Sequence, residues 1–326
     1  GYDESVTTED PKEGAYLRWI RREHPQWYET ALAMSWPRPF WTDQQRQEWS
    51  AAHAKWLAAR RAESAWPLMY PSPLPAELHQ TAFITDVAID FIRRHRAEHA
   101  GRPFYCAVSY VDPHDPYDPP APYDTMFDPA DMPEPVPARW TERGNAALDR
   151  SNDFLGGWRK VKADPAAIRR LRALYHGSVR FIDDQVARLM ALLRETGLEG
   201  ETIVVFTTDH GEMLGDHELI TKGVKFYDMG IRCPLIARGP GVARATVDSL
   251  ACSLDFFPTF CQWAGVRERI PLEGKSLAGP CAGRAQEDPC REVTIEAPYW
   301  MPGVPGRRAP EHAVRGIVTD DGWRLT

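Results

Sequence analysis

Asp209 and His210 are adjacent, and an ionised carboxylate beside a neutral imidazole makes a good pair of ligands for a divalent metal. They stand directly after residues 202–207, a short apolar run rich in β-branched residues that reads as a strand. Just beyond a strand the chain leaves its alternating pleat, so both side chains can turn towards one ion. The bland alternative is that Asp209 caps a turn and His210 is a surface residue, and the dipeptide alone favours that reading. Lys222 follows in a polar loop. Such a lysine is usually solvated, but an ammonium there can also neutralise charge developing on an ester oxygen. His114 lies in Pro113-His114-Asp115-Pro116-Tyr117. Flanking prolines restrict the backbone and would hold the imidazole in one orientation, although a plain turn can look the same.

The elements that must position these residues alternate between helix and strand. Phe83, Ile84, Val87, Ala88, Phe91 and Ile92 recur at helical spacing, and Gly101 follows as a stop signal. Residues 104–110 form an apolar run that predicts a buried strand leading into His114. Asp164 and Pro165 read as a cap and first helical residue, and an apolar stripe from Ile168 to Leu193 runs on to Gly197. The 202–207 strand then leads into Asp209. Residues 231–237 resemble a further strand interrupted by Pro234, which suggests an edge or bulge. Residues 255–264 read as a short helix, and 314–325 as a hairpin turning at Asp321-Gly322. Helices alternating with apolar strands predict an α/β fold with a mostly parallel central sheet and helices on both faces. Ligands of such sheets sit beyond the carboxyl ends of the strands, which is where His114 and Asp209-His210 fall.

The stretch from Phe206 to Gly223, continued by Phe226-Tyr227-Asp228 and Ile231-Arg232-Cys233-Pro234-Leu235-Ile236, resembles the carboxyl-side signature of the sulfatases. That signature is a strand, T-[ST]-D-[HN]-G-E, a Gly-Asp-His segment, a lysine, and a strand of the R-x-P-L-I type. Asp255 to Thr259 with Ala264-Gly265-Val266 resembles the family's D-x-x-P-T helix, and the terminal hairpin resembles its late hairpin. The resemblance covers roughly residues 80–326. It implies an alkaline-phosphatase-like fold with a smaller carboxyl-terminal hairpin element. It also implies that Asp209 and His210 bind a divalent metal, with Ca2+ expected first and Mn2+ as the alternative. Lys222 would contact the sulfate, and His114 would serve near the leaving-group oxygen as donor or general acid. His217 and Tyr117 are further expected substrate contacts. A histidine at the position of His210 is similar to the iduronate- and choline-type sulfatases and to the phosphonate monoester hydrolases.

The family's nucleophile is a formylglycine made from Cys or Ser in C/S-x-P/A-x-R, and two early aspartates complete its metal site. Neither feature occurs in the 326 residues. The expectation is therefore a fragment lacking the N-terminal nucleophile region and inactive alone. The parent enzyme would be a sulfuric ester hydrolase acting on a small-molecule or saccharide sulfate ester. The alternatives are a phosphonate or phosphate mono- or diester hydrolase and a non-catalytic binding homologue. Residues 1–75, rich in Trp and Pro, read as a peripheral segment of short helices and loops, 76–270 as the α/β core with the metal site, and 271–326 as the start of a carboxyl-terminal subdomain.

Composition limits the other classes. The chain is 43% hydrophobic and 26% charged, which is ordinary for a globular protein. A net charge of -7 argues against a nucleic-acid partner. No run of apolar residues is long enough to predict a transmembrane helix, while export and oligomeric state are not legible. None of the six cysteines forms a C-x-x-C pair. Cys106 and Cys233 lie in apolar runs and read as core residues, whereas Cys281 and Cys290 flank a polar loop and could pair under oxidising conditions. Seven of the tryptophans fall within residues 19–66, a spacing that suggests packing. His95, His99 and His176 fall on predicted helices and read as structural or solvated.

Overall fold

The structure is a computed structural model describing residues 2–8, 12, 14–35, 42–60, 68–138, 161, 164–222, 226–267, 269–285, 292–297, 314–322 and 324–325. The chain divides into two compact units, Gly1–Thr196 with Leu214–Ile220, and Gly197–Met213 with Thr221–Thr326.

The first unit is helical. Helices α1 (Ala15–Glu23), α2 (Pro25–Ala33) and α3 (Asp43–Arg60) pack side by side. Tyr16 and Ile20, one turn apart on α1, join Leu32, Ala52, Tyr70, Leu74 and Phe83 in one apolar cluster. Trp19, Trp27, Trp49 and Trp56 pack against it, so these indoles are packing residues as their spacing suggested. Trp36, Trp41 and Trp66 lie outside the described residues. Each fully buried large side chain contributes roughly 1.5–3 kcal/mol.

Helix α4 (Gln80–Glu98) lies against α5 (Pro165–Glu195). The start of α5 follows its sequence signals: Asp164 Oδ1 accepts a hydrogen bond from the Ala166 amide at 3.0 Å, and Pro165 occupies the first position. Its buried face carries Ile168, Leu171, Leu174, Phe181, Ile182, Leu192 and Leu193. Residues 118–138 form an irregular excursion, with single helical turns at Tyr123–Thr125 and Pro129–Asp131. Gly177 lets that excursion touch α5, since a Cβ there would lie 2.4 Å from the Tyr123 carbonyl oxygen.

In the second unit β1 (Val204–Thr207) pairs antiparallel with β2 (Leu235–Arg238). The short helix α6 (Asp228–Ile231) precedes β2. Residues 231–234 thus do not join the strand, because Pro234 offers no ladder N–H. Helix α7 (Phe256–Trp263) and the turn α8 (Ala278–Cys281) follow. Asp255 holds them together: its carboxylate accepts from the amides of Cys252 at 2.8 Å and Lys275 at 2.7 Å. Thr259 Oγ1 donates to the Asp255 carbonyl and accepts from the Leu277 amide. These bonds give the Asp and Thr of D-x-x-P-T a structural purpose. Strands β3 (Glu292–Ala297), β4 (Val314–Thr319) and β5 (Arg324–Leu325) form a second antiparallel sheet, with Gly322 at φ 89 in the predicted hairpin turn.

The mostly parallel central sheet does not occur among the described residues, where both sheets are antiparallel. Residues 104–110 alternate between half-buried and exposed, as a strand would, but form no ladder with any described strand. The parallel pairing that is present consists of isolated bridges, Met69 with Tyr117 and Ser72 with Pro120. The cysteine expectation also needs correcting. Cys233 is exposed beside the open β1–β2 sheet and Cys106 is half-buried, while Cys261 is the buried one. Cys290 lies outside the described residues.

Candidate functional site

Asp209 and His210 follow β1 in the second unit. The tight turn through them is built on Gly211, whose amide donates to the Gly230 carbonyl at 2.9 Å. A Cβ on Gly211 would stand 1.9 Å from the Met229 carbonyl oxygen, so only glycine permits this approach. The His210 amide donates to Asp209 Oδ1 at 3.0 Å. Nδ1 of His210 lies 2.8 Å from the Gly211 carbonyl oxygen, an acceptor, so Nδ1 carries the proton and Nε2 keeps its lone pair. That lone pair stands 3.5 Å from Asp209 Oδ2. Two ligands held about 2.1–2.4 Å from one ion are roughly 3–3.5 Å apart, so this donor pair fits a divalent cation. The Asp209 side chain is 82% exposed, leaving its outer oxygen open to such an ion. Lys222 is half-buried and belongs to the same unit.

The other expected residues lie in the first unit. His114 is 27% exposed, and its Nδ1 lies 2.6 Å from the Asp115 carbonyl oxygen and 3.2 Å from Asp115 Oδ1. Both are acceptors, so the Nδ1 proton is spent on Asp115 and Nε2 is the nitrogen left for other work. Tyr117 is wholly buried. Its backbone bonds to residues 68–70, and its side chain belongs to an apolar cluster with Leu68, Met69, Leu171 and Ile220. Tyr117 therefore packs in the core of the first unit.

His217 is half-buried in a strained segment, with positive φ at Leu214, His217 and Glu218. Arg172 of α5 holds that segment. Its guanidinium donates to the Leu214 carbonyl at 3.0 Å, the Pro133 carbonyl at 2.9 Å and Asp216 Oδ1 at 2.7 Å. Asp216 Oδ1 also accepts from the Val136 amide, and the His217 amide donates to the Val136 carbonyl. Arg172 was missed in the sequence, although a signal existed: it falls inside the apolar stripe, one turn from Ile168. Nearby His176 is half-buried, and burial together with Arg172 holds its pKa below the ordinary range.

A buried cluster of His79, Asp112 and Asp118 was missed as well, and its three ligand-type atoms lie within 4.8 Å of one another. Its members look like solvated loop residues in sequence and are brought together only by folding.

The family described as Sulfatase matches residues 24–266. The chain is 31% identical over 221 residues to the multifunctional alkaline phosphatase superfamily protein PehA of Trinickia caryophylli, a match covering 64% of this chain and 42% of that protein. It is 33% identical over 205 residues to an arylsulfatase of Clostridium perfringens, covering 61% and 41%. Among solved structures it is similar to the phosphonate monoester hydrolase of Silicibacter pomeroyi, with a TM-score of 0.69 and 26% identity, covering 90% of this chain and 63% of that one. These matches span about two fifths of the length of the two curated relatives. The solved neighbour places the fold among alkaline-phosphatase-like α/β folds.

Proposed function

This chain belongs to the sulfatase family, and from that premise we propose that it forms part of a metal-dependent sulfuric ester hydrolase. The observation that carries the reading is the donor pair Asp209 Oδ2 and His210 Nε2, 3.5 Å apart with the imidazole tautomer fixed by Gly211. These two residues would hold a divalent cation, Ca2+ first and Mn2+ as the alternative. The cation supplies Lewis-acid stabilisation of the ester oxygens. Lys222 brings an ammonium to the same negative charge. His114, whose Nδ1 proton is spent on Asp115, would protonate the leaving-group oxygen from Nε2 when the ring carries both protons. His217 contacts the substrate through a ring whose backbone Arg172 steadies indirectly. The nucleophile is supplied by residues outside the 326, since no C/S-x-P/A-x-R spacing occurs within them. The substrate is a small-molecule or saccharide sulfate ester.

The same reading includes residues 76–270 as the core and a mostly parallel sheet in the protein at its natural length. The half-exposed alternation of residues 104–110 supports that sheet, as do the exposed Phe206, Leu235 and Ile236, because further strands would cover such surfaces. A second reading, hydrolysis of phosphonate or phosphate esters, is favoured by the likeness to the phosphonate monoester hydrolase and by the nitrogen ligand at His210, which suits manganese. Parallel assays of the natural-length protein on aryl sulfates and aryl phosphonates separate them. A higher kcat/KM on sulfate supports the first reading. A higher value on phosphonate selects the second, and turnover of neither leaves a binding homologue.

A further inference from the structure

The loop carrying His114 is tied at both ends to one buried polar cluster. Asp112 opens the loop and Asp118 closes it, and each carboxylate faces a different nitrogen of His79, the residue that caps α4. Nδ1 of His79 lies 3.6 Å from Asp112 Oδ2, and Nε2 lies 3.9 Å from Asp118 Oδ1. Thr81 Oγ1 donates to Asp112 Oδ2 at 2.5 Å. Lys12 Nζ lies 3.2 Å from Asp118 Oδ2. Lys12, His79 and Asp118 are all at most 3% exposed. From α1 the Tyr16 hydroxyl faces the same charges, and from α5 the Phe181 ring meets His79 edge-on at 5.4 Å.

Two carboxylates, one ammonium and a neutral imidazole leave one negative charge in excess, away from water. Nδ1 of His79 accepts from the Thr81 amide at 3.4 Å, so the neutral ring carries its proton on Nε2, the nitrogen that faces Asp118. The cluster thus lacks one positive charge, and an uncompensated buried charge is costly. A single proton supplies it. Burial pushes Asp118 up to about 7, opposed by Lys12 and assisted by Asp112. Burial pushes His79 down to about 4, opposed by Asp112. The proton therefore rests on the Asp118 carboxyl. One metal ion serves the cluster less well, because the two carboxylates address different ring nitrogens and Lys12 already sits on Asp118.

We propose that His79 and Asp118 are positioning residues for His114: with Thr81 bonded to Asp112 at one end, Lys12 paired with Asp118 at the other and His79 packed between the two carboxylates, the buried cluster clamps both ends of the 112–118 loop and fixes the direction in which His114 presents Nε2. The proposal rests on the reading of His114 as the proton donor. The test is kcat on aryl esters with leaving groups of graded acidity, measured on the natural-length protein. Replacing His114 by Ala should hurt poor leaving groups most. His79→Ala should reproduce that gradient, with ~10-fold more loss on the poorest leaving group than on the best. The double variant should fall no further than His114→Ala, since one residue acts through the other. Asp118→Asn cannot ionise and should flatten the fall in kcat above neutral pH. If His79→Ala does not fold, His79→Gln takes its place in the series. Equal loss across all leaving groups would mean a merely structural role and overturn the clamp. A stoichiometric metal ion lost on His79→Ala would overturn it in favour of a metal site. If His114→Ala itself shows no gradient, the proton-donor reading fails instead. The His114 ring nitrogen NMR shifts in His79→Gln then decide the clamp, and unchanged shifts would overturn it.

Discussion

Asp118→Asn and His79→Gln should tilt the pH dependence of stability in opposite directions, while the unsubstituted pair stays level. In the unfolded chain the histidine titrates near 6.5 and the aspartate near 3.8, so between those values the pair holds one proton, on the histidine. In the folded chain burial moves the aspartate to about 7 and the histidine to about 4. The pair again holds one proton across that window, now on Asp118. Stability changes with pH only where the two states bind different numbers of protons, so the pair contributes no slope from about pH 4 to 6.5. Asp118→Asn leaves only the lowered imidazole. The unfolded state then takes up a proton below 6.5 that the folded state refuses until about 4, and stability falls as pH falls. His79→Gln leaves only the raised carboxyl. The folded state then keeps a proton up to about 7 that the unfolded state has lost, and stability falls as pH rises. Each slope approaches one proton, about 1.4 kcal/mol per pH unit. Urea unfolding at about pH 4.5, 5.5 and 6.5 reads these slopes directly. Slopes of the same sign in the two variants, or two level lines, would refute the assignment of one shared proton to this pair.

Arg172→Ala breaks three hydrogen bonds and leaves the half-buried Asp216 carboxylate with the Val136 amide, so unfolding free energy should drop by roughly 2–4 kcal/mol. The His217 amide, now bonded to Val136, should exchange with solvent faster, and hydrogen exchange checks this. Gly211→Ala places a methyl 1.9 Å from the Met229 carbonyl oxygen and should cost ~2–4 kcal/mol by denaturant unfolding, with the His210 imidazole displaced. A loss below about 0.5 kcal/mol there would mean that the turn has another conformation available.

Local signals were legible in the sequence and long-range ones were not. Asp164 and Pro165 set the start of α5 because capping needs only the residues beside it. The Asp321-Gly322 turn between β4 and β5 was readable for the same reason. The apolar run at 104–110 has the composition of a strand, but a strand needs a partner, and composition does not say whether one is present. The full burial of Tyr117 was not legible, because its pairing with residues 68–70 joins distant parts of the chain. The cluster of Lys12, His79, Asp112 and Asp118 joins residues about a hundred positions apart at its extremes. Each alone resembles a solvated side chain, and burial alone changes that. Asp209 and His210 were legible as a candidate pair because their signature is contiguous, with strand, donor residues and glycine turn following one another.

Metal content tests the central claim most directly. The natural-length protein, purified and dialysed against metal-free buffer, should hold a stoichiometric divalent cation by elemental analysis, and Asp209→Ala should lose it. Binding at a hundredfold excess over Kd stabilises the folded state by roughly 2.7 kcal/mol, so the variant should also lose the shift in Tm that added Ca2+ or Mn2+ gives the parent. An Asp209→Ala protein that keeps both its metal and its Tm shift would contradict the account, because the ion would then be held by other residues.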